Sequence, residues 1–258
     1  MKLIKIVIAV IWGCLLYTPG FTQHATMIHE GEITFEKRVN TYAILNEYYN
    51  DRGNAMNSFS QQYKASHAQF KITRFKLLFN DDISYYAPAS DTENASNPFL
   101  GAFAGSNIVY TNLKKKIFTA RKNVLGDQYV ISDSNRRIHW KLTDEIKEIA
   151  GFSCRRANAI IMDSVYVVAF YTDQIIPRAG PESFTGLPGM ILGVALPYEH
   201  TTWFAVGFTL KQALNTQIQA PRAETVLSNA QLLDLLIKKT GTDMNPNQRG
   251  LYFHNILL

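Results

Sequence analysis

The sequence predicts a mainly β (α+β) protein: a curved antiparallel sheet or half-barrel with a C-terminal helix packed on it. Three observations point there. Between residues 107 and 212 short apolar runs follow one another, separated by turn residues. Neighbouring runs pair as hairpins, and hairpins without crossover helices make an antiparallel meander. One late segment, opening at Ser228, carries helix punctuation at both ends.

Taken in order, Glu32 to Val39 alternates: Ile33, Phe35 and Val39 face one way, and Glu32, Thr34, Glu36 and Arg38 the other. Asn50-Asp51-Arg52-Gly53-Asn54 is turn chemistry. From Ala55 to Ala68, Met56, Phe59 and Tyr63 recur at helical spacing. Phe75, Leu77 and Phe79 then mark a strand, Asn80-Asp81-Asp82 turns the chain, and Ile83 to Tyr86 returns. Residues 87 to 106 are rich in Pro, Ser, Asn, Ala and Gly and read as a long loop. It contains a glycosylation tripeptide, Asn94-Ala95-Ser96, of a kind too common by chance to carry weight.

Beyond it, Ile108-Val109-Tyr110, Ile117-Phe118-Thr119 and Tyr129-Val130-Ile131 read as short strands, and Ile138-His139-Trp140-Lys141-Leu142 alternates as another. Gly151 to Met162 and Val165 to Tyr171 form a hairpin around Asp163-Ser164; Met190 to Leu196 and Thr202 to Leu210 form one around Pro197-Tyr198-Glu199-His200. Several of these strands are apolar on both faces, so both must be covered. The late helix has Ser228 as N-cap with Gln231 three residues on, a stripe of Leu232, Leu233, Leu235, Leu236 and Ile237, then Lys238, Lys239 and a stop at Gly241. It is expected to lie across the sheet. The tail from Leu251 to Leu258 is apolar enough to dock as a strand or on the core.

The whole is organised around the loop from Gly180 to Leu192. Gly180, Gly186 and Gly189 permit backbone angles closed to other residues, and Pro177, Pro181 and Pro188 fix φ and remove donors. Such a segment can cross a sheet end tightly, tucking Phe184 and Leu187 underneath. It reads first as a rigid plug and second as a ligand rim comprising Gly180, Pro181, Phe184, Gly186, Leu187, Pro188 and Gly189. It is not a phosphate loop, because the Lys and Ser/Thr spacing is absent.

Composition restricts the function classes. The chain has 258 residues and a net charge of +5, with Lys and Arg spread along its length. Met1-Lys2-Leu3-Ile4-Lys5, an apolar run from Ile6 to Tyr17 and a polar end near Gln23 have the charge order of a secretory leader. The expected division is a leader over 1–23 and one β-rich domain over 24–258. Removing the leader leaves 24 basic residues against 21 acidic, a balance of +3, too weak and scattered to argue for nucleic acid. The basic run Lys114-Lys115-Lys116 reads as a solvated strand edge or turn. Acylation at Cys14 is disfavoured by bulky Trp12 and by the apolar Leu15-Leu16-Tyr17 that continue past it. No other segment is long and apolar enough to span a bilayer, which takes about 20 residues. An exported chain left with Cys154 alone cannot staple itself, and Cys154 reads first as a small buried apolar side chain.

The central stretch resembles the GLPGLI family of exported bacterial proteins. The motif reads Gly186-Leu187-Pro188-Gly189-Met190-Ile191, with Met where the family has Leu. Trp140-Lys141-Leu142-Thr143, then Gly151-Phe152-Ser153-Cys154-Arg155-Arg156-Ala157, is similar to the family's Trp-x-Leu and Gly-aromatic-x-Cys-x-x-Ala pattern. Phe170-Tyr171-Thr172-Asp173-Gln174-Ile175 is similar to its aromatic strand end. The likeness covers roughly residues 108 to 210. It implies export to the envelope, as a periplasmic, outer-membrane-associated or secreted protein. It supplies no established activity, cofactor or catalytic residue.

Candidate chemistry is sparse. His139, Cys154, Glu199 and His200 are of zinc- or copper-binding type, but no tight pair spacing supports a site. A Cys154 nucleophile with His139 or His200 as base lacks anything to orient the base. Asp163 or Asp173 could pair with Glu182, although turns and loops place such acids at the surface. Of Arg155 and Arg156, one is expected to face solvent and the other to pair with an acid. The reading favours a non-enzymatic envelope module that binds an apolar ligand, a lipid or a protein partner, without a cofactor. Its rival is a metal-binding protein or hydrolase using His139, Cys154 and His200.

Overall fold

A computed structural model describes residues 27–49, 53–90, 105, 107–211, 218–241 and 246–258, with 53–57 and 246–248 as backbone only. The expected leader, Cys14, Asn50 to Arg52, and all of the 87–106 loop except 87–90 and 105 lie outside these residues. The chain builds β1 (Gly31–Asn40), helices α1 (Thr41–Tyr49) and α2 (Gly53–Ser66), β2 (Phe70–Phe79), β3 (Ile83–Pro88), β4 (Ile108–Asn112), β5 (Ile117–Val124) and β6 (Asp127–Ser134). Then follow β7 (Lys141–Ile149), β8 (Phe152–Ile161), β9 (Val165–Thr172), β10 (Met190–Leu196), β11 (Thr201–Thr209), β12 (Val226–Leu227), and helices α3 (Asn229–Thr240) and α4 (Pro246–Leu257).

All twelve strands join one sheet in the order β12-β6-β5-β4-β3-β2-β1-β11-β10-β9-β8-β7. Every pairing is antiparallel except β12 with β6. The chain therefore meanders outward from β1 to β6, jumps to the opposite edge at β7, and meanders back to β1. Alternation sets the inner face. Ile131, Ala120, Val109, Tyr86, Leu77 and Ile33 lie side by side across six strands, all buried. A second row continues through Trp203, Val194, Ala169 and Ala157.

The jump from β6 to β7 forces the sheet to curl. From Ser134 to Lys141 the chain takes seven Cα steps, which reach at most about 25 Å. In a flat sheet these strands, ten spacings apart in the strand order, would be separated by about 48 Å. A curled sheet has a concave side to fill, and the loop between β9 and β10 fills it. β9 and β10 are buried on both faces, as their apolar runs require. On the outer side Lys147 lies over the rings of Phe170 and Phe204, and Ile149 reaches Gly193.

The helices cover what the sheet leaves open. α1 starts where the Asn40 side chain caps the Ala43 N–H, and it buries Ile44 in the main core. Leu45, Tyr48 and Tyr49 pack with Tyr63 of α2 in a satellite cluster. α3 has the expected capping box: Ser228 Oγ accepts from Gln231 N at 3.2 Å and Gln231 Oε1 from Ser228 N at 2.8 Å.

Two expectations are corrected. Ile138 to Leu142 is not a strand: β7 begins only at Lys141, and 135–140 is the crossing segment. Its alternation reflects side chains turned by turns to the plug and to solvent, not strand pairing. The buried stripe of α3 is narrower than read, because the helix sits beside β6 and β12 at the sheet edge rather than across its face. Leu232 and Leu236 are buried, whereas Leu233 and Ile237 are 36% and 48% exposed. The apolar tail docks on the core, the second of its two expected placements, and does so as helix α4, burying Leu251, Tyr252, Phe253 and Ile256.

Candidate functional site

The loop from Asp173 to Gly189 enters the curled sheet as a plug. Phe184 is 2% and Leu187 1% exposed, and Phe184 meets the Trp203 ring edge-on. Gly189 lies at φ +148°, and a Cβ there would fall 2.0 Å from the Thr172 carbonyl oxygen, so β9 and the loop can meet only through glycine. Gly180 passes close to Ile191, where a Cβ would approach to 2.8 Å. Ile191 N donates to Ala179 O at 2.8 Å and Met190 N to Ile175 O at 3.1 Å, fastening the loop to β10. From the crossing segment, the Trp140 indole N–H donates to Thr185 O at 3.0 Å. Gly186 and Pro188 remain exposed.

The plug carries a charge into the core. Glu182, expected at the surface because it lies in a loop, is 2% exposed. The plug's fold takes it inward at φ +51°. Its Oε2 accepts from Asn107 Nδ2 at 3.0 Å, and Oε1 lies 3.7 Å from the ammonium of Lys37. Lys37 is itself buried on β1, in register with Trp203 and 5.2 Å from its ring centroid. Burial lowers the Lys37 pKa, and Glu182 opposes that shift. Burial, with the nearby Glu182 charge second, pushes the Tyr86 phenol well above its ordinary value.

Two further cations end at the last turn of α4. Lys122 Nζ donates to Ile256 O at 2.9 Å and Arg136 to Leu257 O at 3.0 Å, at the negative end of the helix dipole. Ser183 Oγ, on the plug, donates to Leu258 O at 2.8 Å. Burial lowers Lys122 to about 8, opposed by the Glu182 charge.

The residues of the rival reading stand apart. Cys154 is fully buried on β8, its thiol 3.4 Å from Phe152 O, and burial pushes its pKa to about 12. That suits a core side chain and not a nucleophile, which needs the thiolate. His200 pairs with Glu47 at 2.9 Å, Glu199 with His254 at 3.3 Å, and His139 is exposed on the crossing segment. Asp163 and Asp173 are exposed, away from the buried Glu182. Among the described residues no group of three or more His, Cys, Asp or Glu could hold a metal. Arg156 pairs with Glu145 at 2.6 Å while Arg155 faces solvent.

Where the plug meets the crossing segment, a groove of about 410 Å³ is lined by Ile138, His139, Trp140, Lys141, Leu142, Gly186, Leu187 and Pro188. It runs beside the edge strand β7, which displays Leu142 at 46% and Ile146 at 63% exposure. Glycines and prolines single out the plug in the sequence, but not the charge pair inside it. A signal for Lys37 exists: it shares the phase of Ile33, Phe35 and Val39. Lys122 likewise shares the phase of Phe118, Ala120 and Val124. A lysine in an inward phase needs a buried acceptor or counter-charge.

The curled sheet with its helices defines a β-rich fold also present in PNGF-II. The structure of PNGF-II in two space groups matches with TM-scores of 0.52 and 0.50 at 13% and 14% identity. The matches cover 80% and 78% of this chain but only 33% and 31% of the PNGF-II chains, so this chain spans about a third of their length. At that identity the likeness concerns the fold alone. Residues 160–193, from the end of β8 through the plug to β10, match the model of a family described as protein of unknown function (Porph_ging). Comparison with curated proteins gave no match. Among the described residues no helix is long and apolar enough to cross a membrane.

Proposed function

We propose that the protein is an exported, non-enzymatic envelope module that takes an apolar ligand, a lipid chain or the apolar side chain of a partner, in the groove between the plug and β7. In this reading residues 1–23 are a leader, 24–258 form one domain of GLPGLI type, and the site is the exposed rim of the plug. The observation that carries it is the make-up of that groove: Ile138, Trp140, Leu142, Leu187 and Pro188 converge on one cleft. The plug beneath is braced by the Glu182 cluster, so the rim is held ready rather than assembled on binding. Apolar walls with a few polar groups are the usual character of such sites.

The test uses the neutral apolar fluorophore N-phenyl-1-naphthylamine. Saturable binding to the wild-type protein, abolished by Leu142→Asp, is the expected result. Absence of saturable binding, or equal binding by the variant, overturns the reading. Mass spectrometry of molecules extracted from protein purified from the native envelope then identifies the occupant.

A further inference from the structure

We propose that a second, larger groove, on the β6 side of the plug, binds an anion carrying two or more phosphate groups. This groove, of about 1050 Å³, gathers cations from three separate stretches. Lys115 and Lys116 come from the β4–β5 turn, Arg136 and Arg137 from the crossing segment, and Arg178 from the approach to the plug. Asp133 is its one acid, and that carboxylate is already engaged: Oδ1 accepts from Ser134 N at 2.7 Å and Oδ2 from Asn229 N at 3.0 Å.

Among the described residues no carboxylate stands within ion-pair distance of Lys115, Lys116, Arg137 or Arg178, whereas neighbouring Lys114 pairs with Asp82 at 2.6 Å. Overall basicity does not account for this, since the chain holds 21 acidic residues against 26 basic ones. Like charges around one concavity repel, and a cleft focuses their field on whatever anion enters. Guanidinium groups offer the forked donor geometry that phosphate oxygens accept bidentately.

The backbone that carries these cations is also held in place. Asn135 N donates to Lys116 O at 2.8 Å, tying the turn to the crossing segment. Arg178 is exposed between buried Pro177 and buried Ala179, whose N–H bonds Pro177 O at 3.0 Å. Arg136 is fixed to the end of α4, with Arg137 beside it. The volume exceeds what one phosphate fills, which favours a polyphosphate or a headgroup with two phosphates. The inference uses residues other than the apolar rim, apart from Ile138 and Gly186, which line both grooves.

The test measures binding of inorganic tripolyphosphate by calorimetry and of phosphatidylcholine vesicles containing cardiolipin by flotation. Arg137→Glu/Arg178→Glu is compared with Lys238→Glu, an exposed charge reversal on α3. Saturable binding that the groove variant weakens by about tenfold or more, and Lys238→Glu leaves within about twofold, is the expected result. Binding to tripolyphosphate alone assigns a soluble ligand, and binding to vesicles assigns a lipid headgroup; both keep the proposal. No saturable binding of either probe overturns it. So does equal weakening by Lys238→Glu, which would make the effect one of net charge. Leu142→Asp must leave tripolyphosphate binding intact, so failure of this site and failure of the apolar rim are read separately.

Discussion

Replacing Glu182 by Gln should destabilise the protein by about 3–5 kcal/mol near pH 7, with almost no change in packing. Gln fills nearly the same volume and can still accept from Asn107, so the substitution removes mainly the charge. Lys37, 5% exposed, would then sit in the core without its counter-charge, and breaking a buried pair at one end costs about 3–5 kcal/mol. The loss has a ceiling. Lys37 can give up its proton, and holding an ordinary lysine of pKa 10.5 neutral near pH 7 costs about 5 kcal/mol. The sign of the pH dependence follows. In the variant the unfolded chain binds a proton at Lys37 that the folded chain releases, so stability rises with pH until about 10.5. Burial lowers Lys37 in the wild type as well, so the deficit should shrink as pH rises only up to that lowered folded value. Urea unfolding followed by circular dichroism, near pH 7 and near pH 10, measures both quantities. Adding Lys37→Met to Glu182→Gln should recover most of the loss, because the orphaned ammonium is removed while Lys122 keeps its bond to Ile256 O. A Glu182→Gln variant within about 1 kcal/mol of wild type near pH 7, or a deficit independent of pH, would refute the claim that this pair braces the plug.

Four further outcomes are expected. Gly189→Ala should cost more than about 3 kcal/mol in urea unfolding, since a Cβ 2.0 Å from Thr172 O adds overpacking to an unfavourable φ. The folded pKa of Lys122 is about 8, below its unfolded 10.5, so it should make the wild type gain about 3 kcal/mol as pH rises between those values; Lys122→Met should lack that gain. Cys154, with its thiol pushed up to about 12, should resist alkylation by iodoacetamide in the native protein and react on unfolding in urea. Trp140→Phe removes the hydrogen bond to Thr185 O and should cost about 1 kcal/mol, together with a weaker apolar groove seen as reduced N-phenyl-1-naphthylamine binding.

Local patterns were legible wherever a single element decides its own shape. Alternation in Ile33, Phe35 and Val39 marks β1, and Ser228 with Gln231 marks the start of α3 to the residue. The hairpin turns at Asp163-Ser164 and at Pro197 to His200 sit where the turn residues put them. The sequence also carries a signal for α1: Asn40 caps a segment whose Ile44, Leu45, Tyr48 and Tyr49 recur at helical spacing. Ile138 to Leu142 misled because alternation reports which way side chains point and not whether the backbone has a partner. In a segment that crosses between sheet edges, plug and solvent impose the same rhythm as two sheet faces.

By itself the sequence determined that this chain is a meander of short strands closed by a capped helix and interrupted by a glycine-proline connector too constrained to be a free loop. Period, cap and turn chemistry act over a few residues, so they can be read from neighbours alone. Only the tertiary structure decided that β6 and β7 lie at opposite sides of a curled sheet, and that the connector carries Glu182 inward to meet Asn107, 75 positions away, beside Lys37. Those meetings depend on strand order and curl, which arise from how the whole sheet satisfies its edges and buries its faces. No local stretch encodes that order, and the buried charges and both grooves exist only because of it.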